Sequence, residues 1–124
     1  MPFDLSTLAP ALSGITNPVA YITQSVQAVT LNGVGGTDSV MDNGTHNVFS
    51  LTVNANTTIA HSNVPSTGTR YGFELHLTWS SGTITWPASW TKGDDATALT
   101  AGNYTITGVT IDGGTSWKIA ILTE

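Results

Sequence analysis

The sequence contains no cysteine. That removes disulfides, thiolate metal sites and cysteine nucleophiles together. Basic residues are nearly as scarce: Arg70, Lys92 and Lys118 are the only three, and none precedes Arg70. Binding to a phosphate backbone or an anionic membrane needs clustered Lys and Arg, so neither nucleic acid nor membrane is an expected partner. Charge of either sign makes up 9% of residues, with a formal net charge of −5. An average soluble domain carries about 25%. So little charge suits a surface taken up by neighbouring chains, and an oligomer is expected. The N-terminal stretch has no basic segment, and Pro10, Gly14 and Pro18 interrupt any apolar run. Neither a signal peptide nor a transmembrane helix is expected.

What the chain does have is threonine, serine, asparagine and glycine around short alternating apolar runs. At 124 residues it has the length of one domain. The clearest run is Tyr71 to Trp79, where Tyr71, Phe73, Leu75, Leu77 and Trp79 alternate with Gly72, Glu74, His76 and Thr78. A period of two predicts a half-buried strand. Ser80-Ser81-Gly82 reads as a turn, after which Ile84 and Trp86 resume the alternation until Pro87 stops it. The stretch Tyr71 to Trp90 therefore reads as a hairpin. Further strands are predicted at Gln27–Leu31, at Val48–Val53 with Phe49, Leu51 and Val53 inward, and at Thr57–His61 with Ile59 inward. Asp38 to Asn47 and Ser62 to Thr69 read as loops.

A second hairpin is predicted where Tyr104–Ile111 meets Thr115–Leu122 across Asp112-Gly113-Gly114. Its first strand slips in phase between Ile106 and Val109, which predicts a β-bulge near Thr107-Gly108. Strands joined by short turns predict an all-β domain over residues 26–124, an antiparallel β-sandwich or small barrel.

Residues 1–25 differ. They carry one charge, Asp4, and scattered apolar side chains: Phe3, Leu5, Leu8, Leu12, Ile15, Val19 and Ile22. Asn17-Pro18 can open a short helix. We read the segment as an irregular, partly extended arm that lies on a partner chain or folds back on its own domain.

Chemistry is sparsely marked. His46, His61 and His76 have no metal-ligand spacing, and the loop around Asp38, Asp42 and Asn43 lacks the alternating aspartates of a calcium loop. No metal and no cofactor are expected. Glu74, Asp94, Asp95 and Asp112 are the carboxylates from which a glycosidase pair would come, but Asp94-Asp95 reads as a solvated loop and Asp112 as a turn. No nucleophile elbow, phosphate loop or zinc helix motif occurs. Trp79, Trp86 and Trp117 fall in strand phase and are expected in the core. Trp90 lies beyond Pro87, where it either caps the core or stands exposed as a stacking platform for a sugar ring. With Asp94 and Asp95 it forms the candidate surface contact.

Three pieces occur in order: the strand Gly72 to Trp79, then Thr83-Ile84-Thr85-Trp86-Pro87-Ala88-Ser89 with Trp90, then Asp112-Gly113-Gly114-Thr115-Ser116-Trp117. Over about residues 47–122 this resembles a β-rich domain found at the ends of bacteriophage tail fibres and in other virion surface proteins. The run Thr91-Lys92-Gly93-Asp94-Asp95-Ala96 departs from that pattern in lacking a Gly-Gly and a proline. The resemblance implies a trimeric, non-enzymatic virion component assembled in the host cytoplasm, with other virion proteins and a host surface glycan as partners. It carries over no catalytic residue. The short arm and single domain suit a small tail-fibre or tip protein. The alternatives are a capsid decoration protein and, in another class, a small carbohydrate-binding or carbohydrate-active protein.

Overall fold

The computed structural model describes residues 26–31 and 37–124, with side chains from residue 40 onward. The arm, with Phe3, Leu5, Leu8, Leu12, Ile15, Val19 and Ile22, lies outside the described residues. The strands are β1 (Val26–Leu31), β2 (Thr37–Asp42), β3 (Val48–Val53), β4 (Thr57–Ser62), β5 (Tyr71–Trp79), β6 (Ile84–Thr85), β7 (Lys92–Gly93), β8 (Gly102–Thr110) and β9 (Lys118–Thr123). Among the described residues the one helical element is a 3₁₀ turn at Ala96–Ala98. The fold is all-β, as its alternating runs predict.

Two sheets form. The larger has the order β1-β3-β5-β8-β9-β7 and the smaller β2-β4-β6. Up to β6 the chain changes sheet at every turn, so each pair β1–β2, β3–β4 and β5–β6 makes one rung with a strand in each sheet. Successive rungs stack in parallel: Val26 pairs with Val48, Val48 with Glu74, Thr37 with Thr57 and Thr57 with Ile84. Parallel neighbours need a crossover between them. Here the crossover is the strand of the opposite sheet. Antiparallel pairing enters with β5–β8 and β8–β9.

The rungs share one core. Met41 and Ile59 from the small sheet pack with Phe49, Leu51, Val53, Leu75 and Leu77 from the large one. Register lines these side chains into rows. Phe49 lies beside Leu75, Leu75 beside Ile106 and Ile106 beside Ile121. Each such side chain, fully buried, stabilises the fold by about 1.5–3 kcal/mol before entropy is counted.

Several expectations are corrected. Strand direction is mostly parallel, because alternation in burial is the same for either direction and carries no directional signal. No closure into a barrel is seen among the described residues. Tyr71 to Trp90 is not a hairpin, since β5 and β6 lie in different sheets. The turn between them is a corner stacked on the corner before it. Thr83 donates its backbone N–H to Asn56 Oδ1 at 3.0 Å, and Ser81 donates its hydroxyl to the Asn54 carbonyl at 2.7 Å. Gly82 has φ +82°, and a Cβ there would lie 2.1 Å from the Ala55 carbonyl carbon.

The segment from Asp38 to Asp42 is strand, not loop. Its pairing with β4 is made by backbone groups, which polar side chains do not prevent. Nor does a bulge interrupt β8. Its pairing with β5 is continuous from Gly102 to Thr110, and Tyr104, Ile106, Gly108 and Thr110 all face inward. Gly108 explains the apparent slip in phase. A Cβ on it would lie 2.3 Å from Phe73 Cε1 and 3.0 Å from Ile119 Cδ1. The inward position is filled by its neighbours, while Val109 and Ile111 point outward.

Candidate functional site

The stretch from Thr83 to Leu99 leaves the second sheet, turns at Pro87 and rejoins the first at β7. Trp90 donates its backbone N–H to the Pro87 carbonyl at 3.1 Å. The Ser89 carbonyl accepts the Trp117 N–H at 2.9 Å, and the Trp117 carbonyl accepts from Lys92 at 3.2 Å. These bonds join the second and third of the three stretches that carry the resemblance. Trp117 is 0% exposed, and its indole nitrogen is buried without a hydrogen-bond partner. Its ring stacks on His61 at 4.4 Å and meets Phe73 edge to face at 5.2 Å.

Beside this junction lies a cleft of about 610 Å³. Trp79, Trp86, Trp90 and Leu99 make its apolar wall, and Thr85, Asp95 and Thr97 lie on its lining. The rings run in sequence. Trp90 stacks on Phe73 at 5.7 Å, Trp86 leans on Trp90 at 5.6 Å, and Trp79 meets Trp86 edge to face at 6.2 Å. Trp86, expected in the core, is half-buried on the cleft wall, because β6 ends at Thr85 and its alternation ends with it.

Hydrogen bonds hold Trp90 from behind. Its indole N–H donates to His61 Nε2 at 2.9 Å. An indole nitrogen only donates, so Nε2 is the acceptor and the proton sits on Nδ1. Nδ1–H then donates to Asn43 Oδ1 at 2.8 Å. Asn43 Nδ2 donates to the Tyr71 hydroxyl at 2.9 Å, which donates to the His46 carbonyl at 2.6 Å. Burial pushes the His61 imidazole down to about 4. It therefore stays neutral, as its acceptor role requires.

Of the residues read as a surface contact, Trp90 and Asp95 line the cleft, whereas Asp94 does not. Asp94 clamps β9, accepting the Ile121 N–H on Oδ2 at 2.8 Å while its own N–H reaches the Ile119 carbonyl at 2.9 Å. Asp95 caps the 3₁₀ turn. Its Oδ1 accepts the Thr97 N–H at 2.9 Å and the Thr97 hydroxyl at 2.6 Å. Those bonds hold its carboxyl below the ordinary value. Asp42 is lowered by Asn63 and the Gly44 N–H, and Asp112 is lowered to about 2 by Ser116 and Thr110. A general acid for glycoside cleavage needs its carboxyl raised. The carboxylate in this cleft is shifted the other way, toward accepting hydrogen bonds. Among the described residues no His, Asp and Glu group can hold a metal ion.

His61, Trp79, Trp86 and Thr97 join the site without having been singled out for it. The sequence holds one signal for this, the spacing of Trp86 and Trp90 around Pro87. Comparison of the chain with protein-family models, with curated proteins and with solved structures gives no match.

Proposed function

We propose that this chain is a non-enzymatic structural protein on the outside of a bacteriophage particle. It is a short tail-fibre or tip component, trimeric, and joined to neighbouring virion proteins through residues 1–25. The observation that carries this reading is the asymmetry of the rung stack. At one end the large sheet continues past β5 into the antiparallel strands β8 and β9, while the small sheet stops at β6. At the other end β1 and β2 each finish their sheet, with no further strand beside them among the described residues. Unpaired edges invite more chain, and stacked repeats need a cover on each end. The apolar segment 1–25 leads straight into β1, and its burial between subunits would supply that cover. The resemblance supports the particle surface as the place.

Deleting residues 1–25 tests the reading. The β domain should keep its strand dichroism while light scattering shows loss of the trimer and particles fail to incorporate the protein. A truncated chain that stays trimeric and still incorporates would move the contacts onto the β domain. Labelled particles seen by electron microscopy separate a tail tip from a capsid shell. A monomeric full-length chain that cleaves polysaccharide would overturn the particle reading itself.

A further inference from the structure

We propose that the cleft walled by Trp86 and Trp90 binds a neutral saccharide. This goes beyond the structural role above and does not depend on it. Its volume of about 610 Å³ lies within the roughly 300–1,000 Å³ common for small-molecule clefts. Its wall is aromatic and rigid: Phe73, Trp90, Trp86 and Trp79 support one another in turn. Such a wall loses little freedom on binding.

The polar groups point to the same ligand. Trp79 donates its indole N–H to the Gly82 carbonyl, and Trp90 donates to His61. Trp117 is sealed in the core. Trp86, half-buried on the wall, has no partner for its indole N–H among the described residues. Asp95 is exposed and lends both Thr97 bonds only Oδ1, so Oδ2 has no partner there either. The site thus offers an apolar platform with the Trp86 N–H, the Thr85 hydroxyl and one ionised acceptor, Asp95. A pyranose has a flat C–H face and a rim of hydroxyls that both donate and accept. One ring packs on the tryptophan wall while hydroxyls of that ring or its neighbour accept from Trp86 Nε1 and donate to Asp95.

Charge decides against the competitors. No Lys or Arg lines the cleft, and its one charge is negative, so acidic sugars and phosphates are repelled. A quaternary ammonium ion needs aromatic faces around an open box. Trp79 and Trp86 touch edge to face and enclose none.

The test takes the full-length protein and a panel of neutral hexose and N-acetylhexosamine oligosaccharides, with acidic oligosaccharides and phosphocholine as comparison. The expected result is that a neutral oligosaccharide shifts the indole N–H signals of Trp86 and Trp90 in nitrogen-15 spectra and leaves that of Trp117 in place. Trp86→Ala should weaken binding about tenfold, the loss of one aromatic stacking partner. The shift experiment uses the unaltered protein, so a poorly folding variant does not blunt it. The proposal is overturned if no neutral oligosaccharide binds at millimolar concentration. It is also overturned if binding moves other signals only, or if phosphocholine or an acidic sugar binds in preference. None of these outcomes bears on particle incorporation.

Discussion

Trp90 and His61 are joined by a hydrogen bond of 2.9 Å in which the imidazole can only accept. A wall of the cleft is therefore tied to the neutral form of a half-buried histidine. The same imidazole stacks on Trp117 and bonds Asn43. One side chain thus connects the small sheet, the Trp90 turn and the deepest aromatic ring of the core.

Acid should act through this contact first. His61 lies at about 4 in the fold against an ordinary 6.5, and the cause is burial. The unfolded chain binds the proton more readily between those values. Stability from the neutral ring is whole above about pH 6.5 and is lost as pH falls toward 4. The shift corresponds to roughly 3 kcal/mol. At lower pH, Asp42, Asp95 and Asp112 take over, and their contribution fades as pH drops, through about 2 for Asp112. Urea midpoints measured across this range should fall in two stages. His61→Gln should flatten the upper stage and leave the lower one. Equal slopes in both proteins would show that His61 does not set the upper stage.

Asn43 is 3% exposed and serves His61 and Tyr71 at once. Asn43→Ala should leave a buried imidazole N–H without its acceptor. A buried donor left unpaired costs about 1–3 kcal/mol. Denaturant titration of this variant, of His61→Gln and of the pair should show the two losses to be less than additive. Strict additivity would mean that the bond carries no coupling.

The recess at Gly108 gives a packing prediction. Gly108→Ala should destabilise by about 1–3 kcal/mol, the usual range for overfilling a core, because Phe73 lies where the methyl group would go. Adding Phe73→Leu should reduce the penalty of the alanine. A Gly108→Ala protein that melts with the wild type would place the ring elsewhere.

Strand positions were legible wherever alternation is driven by burial. Phe49, Leu51 and Val53, like Phe73, Leu75 and Leu77, are inward as their spacing predicts. Which strand lies beside which was not legible. Ser80-Ser81-Gly82 looks the same whether the chain reverses in one sheet or crosses to another, and the stacking of that corner on Asn54 and Asn56 is a contact between distant residues. The bulge expectation failed for a related reason. Periodicity counts apolar side chains, so an inward glycine under a phenylalanine registers as a break. At the site, Trp90 was singled out for lying outside the pattern, whereas its support by His61 and Asn43 depends on the small sheet and left no local trace.

Trp117 is a stability prediction in its simplest form. It is 0% exposed and packs against His61, Tyr71 and Phe73. Trp117→Ala should cost about 3–5 kcal/mol, a large share of the roughly 5–15 kcal/mol that holds a small domain together. Most of the variant should be insoluble or unfolded at 37 °C by thermal melting. A soluble protein with an unchanged melting temperature would contradict the packing described.

The rung stack also orders events in time. Val26 pairs with Val48, and Val48 in turn pairs with Glu74. Each pairing between rungs, and that of β5 with β8, closes a wide loop and must repay its entropy. The hairpin of β8 and β9 closes locally, Val109 against Lys118, and offers an edge on which β5 and then β3 can settle. If that edge is the nucleus, assembly zips from β8 and β9 toward β1. Substitutions in β8 should slow refolding, whereas those in β3 should chiefly speed unfolding.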